Sequence, residues 1–414
     1  MKLLSHLIGA IALCVGGYSE VYYDLFVDRY YSPYMGSALF LAGHKALEKT
    51  EDFVLRPQDP PKQGFLYGLG RTAELTLLWL PINVGINTVQ HEFFGHGFIG
   101  RSLSSMKVKS YHIDPPPPYG DGGGYTKIYC NLETCRVGEY QTISLAGLEA
   151  EAVLAGQQKL QWIAAKSLDP RSASLYSTAT LSSLFYSLAP FDNQFFSGND
   201  LESYLNVLNV LYPQKKPLFK RKLQKALLYN LVDPTLYYSF WSECHYILTG
   251  KEGPMPMISF GDYSFLPNLH VGLAPYGLEY YLENYARYQG KPFYSYIKAG
   301  EQSGIRYFGC GLHYDTLWVQ DKMTLGFRLD SWCQPNFLAS WPLQELMQGY
   351  MGHGFYATGR QRKLGGAFSL ITRIGAEDSI LSFYSDVGYK MQGYLPGFPL
   401  QKSLTLRLGL SSVF

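Results

Sequence analysis

From about residue 255 onward the chain alternates apolar and polar residues, and this period of two constrains its fold more than any other feature. Leu404, Leu406, Leu408, Leu410 and the final Phe414 share one parity, while Thr405, Arg407 and Ser411 take the other. Met323, Leu325, Phe327 and Leu329 alternate in the same way with Thr324, Arg328 and Asp330. So do Leu381, Phe383, Val387, Tyr389 and Met391 with Ser382, Asp386, Lys390 and Gln392. A strand sends successive side chains to opposite faces, so each segment carries one apolar and one polar face. Eight to ten such segments, joined by short Gly, Pro or charged turns, predict an antiparallel sheet over 255–414.

A soluble sandwich and a membrane barrel would both alternate. Composition separates them: 35 Tyr, 42 Gly and only 16% charged residues suit a barrel with an aromatic, membrane-adjacent surface. The last strand, ending on Phe414, resembles the terminal strand of Gram-negative outer-membrane barrels, where a final aromatic serves as an assembly signal. A barrel of about eight to ten strands is filled by side chains, and so is an anchor rather than a pore.

The first 19 residues read as a secretory signal: Lys2, an apolar core, then small residues before Glu20. That core is short for a transmembrane helix, and Leu13 before Cys14 fits a lipoprotein cleavage site poorly. Export with cleavage near Gly17 to Ser19 is expected, and an uncleaved anchor is the alternative. Beyond Cys14 the chain has Cys130, Cys135, Cys244, Cys310 and Cys333, too few for a disulfide scaffold. Cys130 and Cys135 are spaced to close a small loop in an oxidising compartment. A net charge of +2 excludes a nucleic-acid binder that works by charge.

Between the signal and the alternating region the pattern is mainly helical. Residues 20–70 show no clear period. Residues 72–101 read as a helix interrupted at Pro81. A Pro/Gly loop with short β segments on either side, 106–113 and 125–129, reads as an irregular hairpin. Helices are expected at 139–166, 171–190, 200–212, 218–231 and 234–249. The cations between Lys215 and Lys225 suit a solvated helix face.

The chemistry concentrates in Thr88-Val-Gln-His-Glu-Phe-Phe-Gly-His-Gly97, which holds His91, Glu92 and His96. Two imidazoles and a carboxylate this close are the donors of a zinc site that activates water. The common zinc-peptidase motif spaces its histidines four apart, whereas these stand five apart. On a regular helix, i and i+5 diverge by roughly 140°, against roughly 40° for i and i+4. A one-residue π-bulge would restore a common face, and Gly95 weakens the helix at the right place. The alternatives are that Glu92 and His96 chelate as a pair, or that the three residues form a structural polar cluster.

In order, three pieces of the helical half resemble the core of site-2-protease-type membrane metallopeptidases. They are His91-Glu-Phe-Phe-Gly-His96, then Gly123-Gly-Tyr-Thr-Lys127, then Ser144-Leu-Ala-Gly-Leu-Glu149. The resemblance covers roughly residues 85–205. The chain departs from that family in its histidine spacing, in Glu149 and Glu151 where Pro and Asn are favoured, and in its short, polar helices. The resemblance implies Zn²⁺ held by His91 and His96, Glu92 as general base, and a carboxylate as third ligand. Asp200 matches the late acidic ligand by order, although it also suits a helix N-cap. Glu149 and Glu151 compete, because an apolar helix holds carboxylates at a cost unless they are paired or metal-bound. Gly124, Tyr125 and His112 of the hairpin are the expected substrate contacts.

The whole reads as an α+β chain with a signal peptide (1–19), a mainly helical metallopeptidase-like domain (20–254) and an antiparallel outer-membrane β-barrel (255–414). The function expected is peptide-bond hydrolysis at the outer membrane of a Gram-negative bacterium. The alternative is a non-catalytic barrel with a helical partner-binding or plug domain.

Overall fold

The computed structural model describes residues 21–55, 61–192, 198–212, 217–320, 323–348, 361–375 and 381–413. The expected signal segment and Phe414 lie outside the described residues. Residues 20–70, without a readable period, supply strand β1 (Tyr22–Asp28) and helix α1 (Pro33–Leu55). A long helical run follows: α2 (Phe65–Glu74), a wide π turn (Leu75–Trp79), α3 (Leu80–Val89), a second π turn (Gln90–His96) and α4 (Gly97–Ser102). The sequence predicts an interruption at Pro81, yet the chain stays helical through it. Pro81 sits in the first turn of α3, and the Leu77 carbonyl one turn earlier accepts a bond from Tyr119 Oη at 3.0 Å.

The expected hairpin is β2 (Met106–Ile113) with β3 (Gly124–Cys130). Then come α5 (Val137–Ile143), α6 (Ala146–Ala165), the short β4 (Ser167–Leu168), α7 (Ala173–Leu188), α8 (Asp200–Leu211), α9 (Lys220–Leu227) and α10 (Pro234–Thr249). Strand β5 (Gly253–Pro254) pairs with β4. Cys130 and Cys135 are free thiols, so the suggested loop closure is not formed.

The C-terminal part forms β6 (Ile258–Phe260), β7 (Tyr263–Ala274), β8 (Gly277–Tyr288), β9 (Lys291–Gln302), β10 (Ile305–Gln320) and β11 (Met323–Pro335). After the short helix α11 (Leu343–Met347) come β12 (Arg362–Gly375), β13 (Leu381–Lys390) and β14 (Ser403–Val413). These strands and β1 make one ten-stranded sheet in the order β1-β14-β13-β12-β11-β10-β9-β8-β7-β6. Every pairing in it is antiparallel. The sheet therefore draws its first strand from the N-terminal side, with Tyr22 opposite Val413. Among the described residues no ladder joins β1 to β6, so the expected barrel is met as an antiparallel sheet without recorded closure.

The sheet is strongly curled. Arg373 on β12 binds Asp24 on β1, three strands away, at 2.6 Å. Flat spacing would set those strands about 14 Å apart, beyond the reach of the pair. Helix α6 lies in the concavity: Gln161 donates to the Tyr22 carbonyl of β1, and Arg287 of β8 donates to the Ile163 carbonyl. Strands from opposite parts of the sheet thus meet the same helical turn.

The faces are inverted relative to a soluble sandwich. Leu404 on the outer face is 81% exposed, whereas Arg407 is 2% exposed and Asp386 is fully buried. The inner charges are paired: Arg407 with Asp386 at 2.8 Å, Arg328 with Asp315 at 2.8 Å, and Lys298 with Glu279 at 2.9 Å. No helix among the described residues is long and apolar enough to cross a membrane.

Asp386→Ala would remove the nearest carboxylate of Arg407, leaving it only Asp28 at 3.5 Å, and the second carboxylate of Arg328, which keeps Asp315. Equilibrium urea unfolding should show a loss of about 1.5–3 kcal/mol, that of a buried hydrogen bond between charged groups. The Asp386→Ala/Arg407→Ala double variant should cost less than the sum of the singles. Simple additivity would contradict the pairing.

Candidate metal centre

The second π turn determines how the motif points. Its first residue, Gln90, is fully buried, and Nε2 donates to the Pro33 carbonyl of α1 at 3.0 Å and the Ala150 carbonyl of α6 at 2.8 Å. The extra residue in the turn brings His91 and His96 onto one side, as the π-bulge reading requires. Their Nε2 atoms lie 3.1 Å apart, with ring centroids at 4.9 Å. Close packing against α6 requires two glycines. A Cβ on Gly95 would stand 2.6 Å from the Ala146 carbonyl oxygen, and one on Gly147 would stand 2.2 Å from His91 Nε2.

Asp200 completes the cluster from the start of α8. Its Oδ2 lies 2.9 Å from His91 Nε2 and 3.1 Å from His96 Nε2. The sequence allows Asp200 to be the N-cap, but Asn199 takes that role by accepting from the Leu201 and Glu202 amides. The Asp200 carboxylate is thereby left to face the imidazoles.

The outer partners fix the rings. His96 Nδ1 meets the Ile143 carbonyl at 2.8 Å, which selects the tautomer with its lone pair on Nε2. His91 Nδ1 lies 3.3 Å from Glu151 Oε1, close enough for an ion pair but outside hydrogen-bond alignment. Glu151 in turn accepts from Asn87 at 2.7 Å and from Ser182. With His91 in the matching tautomer, two lone pairs and a carboxylate oxygen converge, and the Tyr186 hydroxyl, 3.3 Å from His91 Nε2, is the one donor beside them among the described residues. Such a convergence of acceptors calls for a cation.

The donor set suits a transition metal. Tetrahedral zinc with bonds of about 2.0–2.1 Å separates its donors by about 3.3 Å. The observed spacings of 2.9–3.1 Å fall slightly inside that value. Without a metal, the cation is a proton. Burial disfavours charged His91, but Tyr186, Glu151 and Asp200 outweigh it and raise its pKa well above 6.5. Burial also opposes charge on His96, and Asp200 overrides it, raising that pKa too. Burial would raise Asp200, but His96 and His91 hold it well below the usual carboxylate range.

The other expected residues fall around this cluster. Glu92 is buried beside it, its Oε2 accepting from Thr126 of β3 at 2.7 Å. Gly124 packs against Glu92: a Cβ there would meet Glu92 Cγ at 2.9 Å. Tyr125 and His112 do not share this position. They stack at 5.0 Å on the hairpin's other face, where His112 pairs with Asp114, because strand alternation turns Tyr125 away from Gly124 and Thr126. Glu149 is corrected as a ligand. It lies two residues from Glu151 and so points elsewhere on α6, accepting from the Gly397 amide. Burial pushes its carboxyl up to about 7. Glu151 is corrected from ligand to outer partner, since it faces Nδ1 rather than Nε2.

Sequence reasoning missed Thr126 and Tyr186. Thr126 was legible as the residue sharing parity with Gly124. Tyr186, whose hydroxyl lies 3.3 Å from His91 Nε2 and whose ring stacks on His91, sits in a helix without a motif. The side chains of His96 and Asp200 keep 12% and 18% exposure, so solvent meets the cluster on their side. Compared with known proteins, no family model, no curated protein and no solved structure matches the chain.

Gly147→Ala should weaken zinc binding at least about tenfold in chelator competition, by pressing on the His91 ring. Gly43→Ala, with open space around it, should not. In metal-free protein, the raised imidazole pKa values contribute stability that is full below pH 6.5 and lost as pH rises through the raised values. Melting temperature should therefore fall above pH 6.5 more steeply in the wild type than in His96→Asn; equal slopes would contradict the coupling.

Proposed function

We propose that the chain is an outer-membrane-anchored zinc metallopeptidase, with its sheet closed into a barrel that holds the helical part at the membrane. The observation that carries the catalytic reading is the meeting of His91 Nε2, His96 Nε2 and Asp200 Oδ2 within 4.8 Å of one another. The anchoring reading is supported by the inverted sheet, apolar outside and charged inside.

A zinc ion held by His91, His96 and Asp200 would supply Lewis acidity and make the attacking water more acidic. Glu92 accepts the proton of the attacking water and passes it to the leaving amine. Thr126 holds the Glu92 carboxylate in place, and Gly124 lets β3 come close to it. With the Ile143 carbonyl against His96 Nδ1 and Glu151 Oε1 3.3 Å from His91 Nδ1, both rings would offer the ion a neutral Nε2. The substrate class is a peptide or protein. A lipid ester hydrolysed by the same centre is the nearest variant.

A second reading has its own observation. Helix α6 fills the concave side of the sheet, as a plug would, and the cluster is satisfied by a proton as well as by a metal. On that reading His91, His96 and Asp200 are a structural knot in a non-catalytic barrel.

Metal analysis of purified protein separates the two. About one zinc per chain is expected, lost in His91→Ala and His96→Ala. Glu92→Gln should keep the zinc and lose peptide hydrolysis by at least about a hundredfold. Protein without stoichiometric transition metal, or full turnover in Glu92→Gln, would overturn the catalytic reading.

A further inference from the structure

The short helix α9 has two unlike faces. Leu223, Ala226 and Leu227, at helical spacing, are buried in the core beneath it. Arg221, Lys222 and Lys225 stand on the opposite, exposed side. Among the described residues none of these three has a carboxylate within 4.0 Å, although their neighbour Lys220 is tied inward, over the Phe191 ring at 4.0 Å. Soluble proteins normally surround such a cationic face with polar surface. Here the neighbourhood is apolar.

Phe219 precedes the helix and is exposed, and after it Tyr229, Val232, Phe240 and Trp241 are exposed as well. The segment after the helix meets the sheet along the edge of β7. Strand β6 covers the edge of β7 only from Tyr263 to Phe265. Farther along that edge, Asn230 Nδ2 donates to the Val271 carbonyl at 3.2 Å, and Asn230 Oδ1 accepts from the Val271 amide at 2.7 Å. Val271 stands opposite Tyr280 of β8, an exposed tyrosine that neighbours Tyr229. Tyr229 thus adjoins the outer face of the sheet at Tyr280, and the exposed Lys225, Lys222 and Arg221 precede it by one to two helical turns. An apolar band bordered by aromatics and basic residues is the pattern of a bilayer's hydrocarbon, interface and anionic headgroups.

We propose that residues 219–241 form an interfacial contact with an anionic lipid surface. Tyr229, Val232, Phe240 and Trp241 lie among the acyl chains, and Arg221, Lys222 and Lys225 hold headgroup phosphates. The proposal rests on the membrane-anchored reading of the sheet and is independent of the metal centre. It assigns to lipid a cationic stretch that the sequence alone assigns to water.

The full chain is reconstituted in vesicles of phosphatidylcholine and phosphatidylglycerol with brominated acyl chains. The Trp241 signal is the fluorescence difference between wild type and Trp241→Phe, and Leu408→Trp reports on the sheet exterior. Both probes should be quenched, Trp241 more strongly by brominated phosphatidylglycerol than by brominated phosphatidylcholine. Arg221→Glu/Lys222→Glu/Lys225→Glu should reduce that preference at least about fivefold and leave quenching of the sheet probe unchanged. If the sheet probe is quenched and Trp241 is not, the segment faces water and serves a soluble partner, which overturns the proposal and leaves the anchor intact. Equal quenching by the two lipids, unaltered in the triple variant, overturns the headgroup assignment. If neither probe is quenched, the membrane reading falls with it.

Discussion

One residue too many in a single helical turn governs the arrangement of the helical half. Between Gln90 and His96 the backbone widens to a π turn, and with ordinary helical geometry the two imidazoles would point well apart. A wide turn is poor helix, so neighbours must hold it. Gln90 does so by bonding carbonyls of both α1 and α6, and Gly95 and Gly147 let the turn press onto α6 without a side chain between. The same contact that tolerates the irregular turn sets His91 against α6, where Glu151 can meet its Nδ1. Fold and site are here one packing problem.

The second organising fact is where the charge goes. The sheet presents leucines outward and encloses ion pairs such as Arg407 with Asp386 and Arg373 with Asp24. Buried charges tolerate this only when paired, and the curl of the sheet is what brings partners from non-adjacent strands within reach. Helix α6 joins the two halves. One side meets the His91–His96–Asp200 cluster through Gly147 and Glu151, and another meets the inner face of the sheet through Lys159, whose ammonium lies 4.4 Å from the centre of the Tyr285 ring.

Much of this was legible in residue order. Alternation marked the strands of the sheet, because period two survives whichever face is buried. It did not reveal β1, whose seven residues lack turn signals on a readable pattern and find their partner almost the whole chain away. The five-residue histidine spacing pointed to the π turn, since no regular helix reconciles those positions. Which acid faces the two imidazoles was not decidable from sequence. Asp200, Glu149 and Glu151 were all plausible acids, and only the capping role of Asn199 and the rotation of α6 separate them. Tyr125 and His112 lie on the hairpin face away from Gly124, because sequence proximity says nothing about which face of a strand a side chain takes.

The central claim is that a widened turn makes two imidazoles and a remote aspartate into one coordination sphere. Zinc K-edge absorption on the zinc-loaded full chain tests this most directly. The account predicts two imidazole nitrogens and carboxylate oxygen at about 2.0–2.2 Å, with no sulfur at about 2.3 Å. A spectrum with one imidazole or none, or with thiolate in the first sphere, would contradict it.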